Sequence, residues 1–182
     1  MRQVVAISTL LVLSGCSQPA LTAAEYRDLL TERSAAYVTE AESIRVSHLY
    51  DLERSVDGLV KSTEAEQLEA AVLAETARRS ASMFAAIGDA VKRYADDIAV
   101  LDPPDSLQTA HDEYVTALQL SITGIGAMVG SLADASSFQE INETIGGSTF
   151  NDTQHRVDAA CAGLEGVLAE IGEPADLHCR GV

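Results

Sequence analysis

Four histidines, three cysteines and 28 carboxylates are the residues of this 182-residue chain that could hold a metal, attack a carbonyl or move a proton. Their spacing supplies none of the usual machinery. Di-iron bundles place a Glu three residues before a ligating His, whereas here Arg45 precedes His48, Gln108 precedes His111, Asp152 precedes His155 and Ala175 precedes His178. No two histidines lie at helical ligand spacing, and no Cys, Cys, His cluster suits zinc. His48 and His111 fall on apolar faces, and His111 is expected to be hydrogen-bonded near the proline turn or to a neighbouring hydroxyl. The carboxylates are scattered along solvent faces, and neither a nucleophile elbow nor a phosphate-cradling loop is present. No catalytic, cofactor-binding or metal residue is therefore expected, and the chain does not read as an enzyme. A hydrolase would need a polar cluster gathered from separate helices. Aromatic residues, at 4%, are too few for a platform that stacks sugars or bases.

The cysteines differ in setting. Cys16 follows a short segment with Arg2 at its start and an apolar run from Val4 to Leu13. This has the form of a signal peptide over Met1–Gly15, and at ten residues the run is far below the roughly 20 that a stable membrane-spanning helix needs. It ends in Leu13, Ser14, Gly15, Cys16. Small residues ahead of the Cys suit entry of an extended backbone into a narrow protease cleft, and a thiolate is a strong nucleophile for alkylation. This tetrad resembles the lipobox of bacterial lipoproteins. The resemblance, confined to the first sixteen residues, implies that Cys16 receives a diacylglyceryl group and becomes residue one of the mature chain. Two or more acyl chains, at about 0.8 kcal/mol per buried methylene, would make the anchor effectively permanent. The tether from Cys16 to Leu21 would then hold the body within about 20 Å of the outer face of a membrane.

In a chain exported in that way, the remaining Cys161 and Cys179 are expected to pair as a disulfide. A loop of this size contributes about 3 kcal/mol and folds the tail over the last helix. Two free buried thiols and a thiol catalyst are the alternatives.

The elements that must position these residues are helical throughout. Thr22 and Glu25 form a capping box, followed by Tyr26, Leu30, Tyr37, Ala41, Ile44, His48, Leu52, Ser55 and Leu59 at spacings of mostly three and four. A second box, Thr63 with Glu66, opens a stretch carrying Leu68, Val72, Met83, Ile87, Val91, Tyr94, Ile98 and Leu101. It stops at Asp102, Pro103, Pro104, with proline expected at the start of the next helix. The third stretch is a strict heptad, Leu107, His111, Tyr114, Leu118, Ser121, Ile125, Met128, Leu132, with a kink expected over 135–137. The fourth repeats the rule through Phe150, Gln154, Val157, Cys161, Leu164, Leu168 and Ile171, after a break at Gly146, Gly147. An all-α, antiparallel four-helix bundle follows, spanning residues 22–172, with a tail over 173–182 bridged back to the fourth helix. Abundant alanine predicts close helix contacts rather than a wide cavity. Across Leu101 to Leu118 the chain is also similar to small helical-bundle lipoproteins with a double proline ahead of a helix carrying His and Tyr, which implies the fold and no chemistry.

With 12 basic and 28 acidic residues the net charge is −16, and the closest basic group is only Arg78, Arg79, so nucleic acid is excluded as a partner. The acidity itself reads as solubility, with binding of a cation or a basic partner as the alternative. Residues 114–133 are uncharged and include Gly124, Gly126 and Gly130. The Gly126 to Gly130 spacing matches membrane helix dimers, but Thr116, Gln119, Ser121, Thr123 and Ser131 favour a buried core helix. The glycines then mark tight packing or a shallow groove. The expected function is a non-enzymatic binding or interaction module of the cell envelope, lipid-anchored on the extracytoplasmic face, with an envelope protein as partner. The alternative is a carrier of a small molecule or cation using the Gly124–Gly130 region or the acidic faces.

Overall fold

The structure is a computed structural model that describes residues 21–179. The leader, the Leu13-Ser14-Gly15-Cys16 motif and the lipidation site at Cys16 lie outside the described residues.

Five helices account for nearly all of the described chain: α1 Ala23–Ser62, α2 Ala65–Ala99, α3 Gln108–Ala133, α4 Phe138–Ile145 and α5 Ser148–Glu170. The four long ones form the expected antiparallel bundle, packed α1 on α2, α2 on α3 and α3 on α5, with α4 against α3. The heptad of α3 is buried in full: each of its eight positions is at most 5% exposed. That one face serves both α2 and α5, which is why the pattern is so regular. α3 is also long and apolar enough to cross a membrane by length and composition.

Helix ends follow local chemistry. Thr22 and Glu25 make a reciprocal capping box, the hydroxyl accepting from the Glu25 N–H and the carboxylate accepting from the Thr22 N–H at 2.9 Å. The second expected box does not form. Thr63 ends α1 by donating its N–H to the Leu59 carbonyl, so the N-cap of α2 falls to Glu64, without a side-chain cap. Pro104 begins a turn rather than a helix: its carbonyl accepts from the Leu107 N–H at 2.8 Å, and α3 starts at Gln108. The kink over 135–137 is a complete break, because Ser137 caps a separate helix by accepting from the Glu140 N–H at 3.1 Å. α5 ends in a Schellman turn, with Gly172 at φ +84° and the Glu173 N–H donating to the Leu168 carbonyl at 2.9 Å. Ile171 therefore lies past the helix and is exposed.

At 1.5 Å per residue, α1 runs about 60 Å and α2 about 52 Å, against about 39 Å and 35 Å for α3 and α5. The first two helices project beyond the others as a hairpin. Past Ala41 no residue of α1 is buried, and before Ala77 none of α2 is. The face predicted for α1 from Ile44 to Leu59 does turn inward, but with one helix to cover it the residues stay half-buried. Arg79 staples this hairpin, donating to Ser55 at 3.0 Å and to Glu75 at 2.9 Å. Arg78 and Arg79 together hold the Glu75 carboxyl down to about 2 from its ordinary 4.5.

Candidate functional site

α1 and α5, the first and last long helices, are not among the closely packed pairs. A bundle whose fourth side stays unsealed has a slot there. It is closed at one end by residues Leu177 to Cys179 of the tail, and holds a cavity of about 300 Å³. The alanine-rich faces were expected to give close contacts rather than a wide cavity, and the space left is this one narrow slot on the unsealed side.

The tail is drawn into place by four independent groups. Cys161 and Cys179 are bonded, with their Cα atoms 5.4 Å apart. Ser34 donates its hydroxyl to the Leu177 carbonyl at 2.6 Å, and the Glu165 carboxylate accepts from the Leu177 N–H at 2.6 Å. Arg27 pairs with Glu173 at the start of the tail. The Leu177 side chain is 2% exposed and joins the core, so the tail behaves as a strap tying α1 to α5 where the helices themselves are not closely packed.

α2 and α3 supply the apolar floor through Phe84, Ile87, Val91, Leu118 and Ile125. Tyr37, Val38 and Ala41 of α1 form one wall, and Phe150, Gln154 and Val157 of α5 form the other. This explains why the first half of the α5 heptad is only half-buried while Cys161, Leu164 and Leu168 are fully enclosed. Polar groups are sparse. Gln154 donates to Asp158 at 3.0 Å, and Arg45 at the rim is engaged bidentately by Glu42, with both contacts at 2.8 Å. On the floor Ser121 is 5% exposed, and its hydroxyl makes no hydrogen bond with another described residue.

At the slot and beneath it, four of the five tyrosines cluster, Tyr26, Tyr94 and Tyr114 buried and Tyr37 half-buried in the wall. Tyr37 stacks on Tyr94 with ring centroids 4.8 Å apart, and the Tyr94 and Tyr114 hydroxyls lie 3.1 Å from each other. Tyr26 shares a 2.9 Å hydrogen bond with Nδ1 of His111, so of the two expected partners, the proline turn or a hydroxyl, it is a hydroxyl, from a residue 85 positions away. Burial lowers the His111 pKa below its ordinary 6.5, so the ring is neutral at pH 7, and burial lifts Tyr37 to about 12. The charged neighbour of this cluster is Asp112, whose field reaches both Tyr26 and His111.

The other expected sites fall elsewhere. Gly124 approaches α5, where a Cβ would stand 3.3 Å from Thr153 Oγ1, whereas a Cβ at Gly126 or Gly130 would meet open space. None of the three glycines lines the slot, and of the two expected roles, tight packing or a shallow groove, Gly124 has the first while Gly126 and Gly130 are bare positions. His48 lies between α1 and α2 with Nδ1 buried and unpartnered, and His178 sits 3.4 Å from Asp176 in the tail. Among the described residues no group of three or more His, Cys, Asp or Glu is gathered closely enough to hold a metal ion. Sequence periodicity placed most of the slot lining in the core but passed over Val38 and named Met83 where Phe84 is the buried residue; the missing signal was which pair of helices would stay apart. Compared with protein-family models, curated proteins and solved structures, the chain matches none.

Proposed function

We propose that this chain is a lipid-anchored, non-enzymatic binding module of the cell envelope, and that the slot between α1 and α5 is its binding site. The slot carries the reading: a cavity of about 300 Å³ with apolar walls and few polar groups has the character, and the lower end of the size range, of a small-molecule pocket. The lipobox resemblance at Leu13 to Cys16 supports the anchor. Leu21 donates its N–H to the Asp102 carbonyl at 3.2 Å, so the short tether would enter at the end carrying the α2–α3 turn, with the α1–α2 hairpin pointing away.

A second reading, docking of an envelope protein, is favoured by the projecting hairpin, where Val46, Leu49 and Tyr50 are each at least 46% exposed on one side of α1. Two experiments test these readings. Metabolic labelling with an alkyne fatty acid should tag the chain and fail with Cys16→Ser; labelling that persists removes the anchor. A small-molecule melting screen on the purified chain should give ligand-dependent stabilisation lost on filling the slot with Val157→Phe. No shift, together with a specific protein crosslinked through the hairpin in intact cells, would replace the first reading by the second.

A further inference from the structure

We infer that the open face of the α1–α2 hairpin docks one basic amphipathic helix of a partner protein, laid along α1 in line with α5. This rests on the hairpin reading above, which it deepens, and is independent of the slot. The fold sets the position. The α1 wall of the slot advances through Val38, Ala41 and Arg45, and α5, which begins at Ser148, reaches the same cavity with Phe150. Beyond that level α5 is missing, yet the α1 row runs on. Leu49, Leu52, Val56 and Leu59 continue it toward the tip at steps of four, three, four and three, and Leu73 extends the α2 row beyond the buried Ala77. Leu49 and Val60 are exposed, while Leu52, Val56, Leu59 and Leu73 are half-buried. An apolar row at alternating threes and fours is the complement of another helix, not of a strand, whose side chains repeat every two residues. From Arg45 to the end of α1 at Ser62 the ledge is about 26 Å long, room for a helix of about 17 residues.

Charge sets the chemistry of the occupant. Toward the tip, Glu69 and Glu66 carry on the α2 row at steps of four and three, and Glu53 and Asp57 border the α1 row. All four are exposed, and none is ion-paired with a described residue. The arginines nearer the bundle body are already engaged, Arg45 by Glu42 and Arg78 and Arg79 by Glu75. Arg54 lies over the Tyr50 ring at 5.7 Å and shares a separate row of α1 with Lys61, at steps of four and seven from Tyr50. The open face is thus an apolar row edged by carboxylates without cations of their own. Lysines or arginines flanking the apolar stripe of an incoming helix meet those carboxylates and fix its register, while the stripe supplies the affinity. A second copy of this chain would instead set the same carboxylates against each other.

Two fluorescein-labelled helical peptides matched to the ledge, about 18 residues long, serve as probes; they share a leucine stripe and carry either lysine or glutamate at every other position. With the full chain in non-ionic detergent, the lysine peptide should give a saturable rise in anisotropy and bind at least about tenfold tighter than the glutamate peptide. Raising the salt from about 50 to 300 mM should weaken it. Leu49→Ser with Val60→Ser should cost about tenfold in affinity, and Glu66→Lys with Glu69→Lys as much, at an unchanged melting temperature. Glu32→Lys with Glu113→Lys makes the same charge change at exposed positions of the bundle body and should alter binding by less than about twofold. Val157→Phe, which fills the slot, should leave it unaltered. Equal weakening by the body and hairpin charge variants means general attraction and removes the site. Loss with Val157→Phe but not with the hairpin variants places the peptide in the slot, so that the slot reading survives and this one falls. Equal binding of the two peptides overturns the charge of the partner. No binding of either overturns the proposal, and self-association in analytical ultracentrifugation, lost with Leu49→Ser and Val60→Ser, would then assign the face to a second copy.

Discussion

Ser34 on α1 donates its hydroxyl to the carbonyl of Leu177, 143 positions further along the chain, at 2.6 Å. Through this bond the first helix holds the strap that closes the bundle where α1 and α5 stand apart. Ser34→Ala would leave a buried carbonyl without its donor, which costs about 1–3 kcal/mol. For a domain of this size the melting temperature should fall by about 2–4 °C per kcal/mol. Backbone hydrogen exchange at 173–179 should rise with it; unchanged exchange would show that the strap does not depend on α1.

Reduction of the Cys161–Cys179 bond should also loosen the strap. A loop of this size is worth about 3 kcal/mol, so dithiothreitol should lower the melting temperature of the native chain by several degrees and leave a Cys179→Ser variant unaffected. Equal responses in the two proteins would mean that the bond contributes nothing.

His111 gives the fold a dependence on acid. Its ring is lowered in pKa by desolvation, with Asp112 pulling partly the other way, so the unfolded chain takes up a proton near pH 6.5 before the folded one does. Stability attributable to this site is constant above that pH and declines as the pH falls through the window between the unfolded and folded values. His111→Gln, which keeps a partner for Tyr26, should flatten this part of the stability–pH curve in chemical denaturation. Parallel curves for variant and native protein would refute the assignment.

The glycines should divide by what a methyl group would meet. A Cβ at Gly126 has open space, so Gly126→Ala in mid-helix should stabilise by about 0.5–1 kcal/mol. At Gly88 the same methyl would stand 3.0 Å from Cγ2 of Ile125, on the slot floor, and Gly88→Ala should destabilise. Denaturant midpoints decide both signs.

Sequence by itself determined the helices, and above all the buried face of α3: Leu107 through Leu132 can satisfy a 3.5-residue repeat in only one way, so periodicity reports burial directly. It also located the Thr22 cap, whose partners are three residues apart, while leaving open whether His111 would bond at the proline turn or to a hydroxyl, which the fold settled with Tyr26. It misplaced the start of α2, because Thr63 had two uses and the end of α1 claimed it first. Only the tertiary structure decided that α1 and α5 stay apart, that Val157 and Phe150 line a slot while Leu164 and Leu168 of the same stripe are sealed, and that Leu177 fills the gap at one end. The physical reason is range. A heptad states that a face is covered but not by which neighbour, and the contacts that settle this, Ser34 to Leu177 and α3 against both α2 and α5, join residues far apart in the chain.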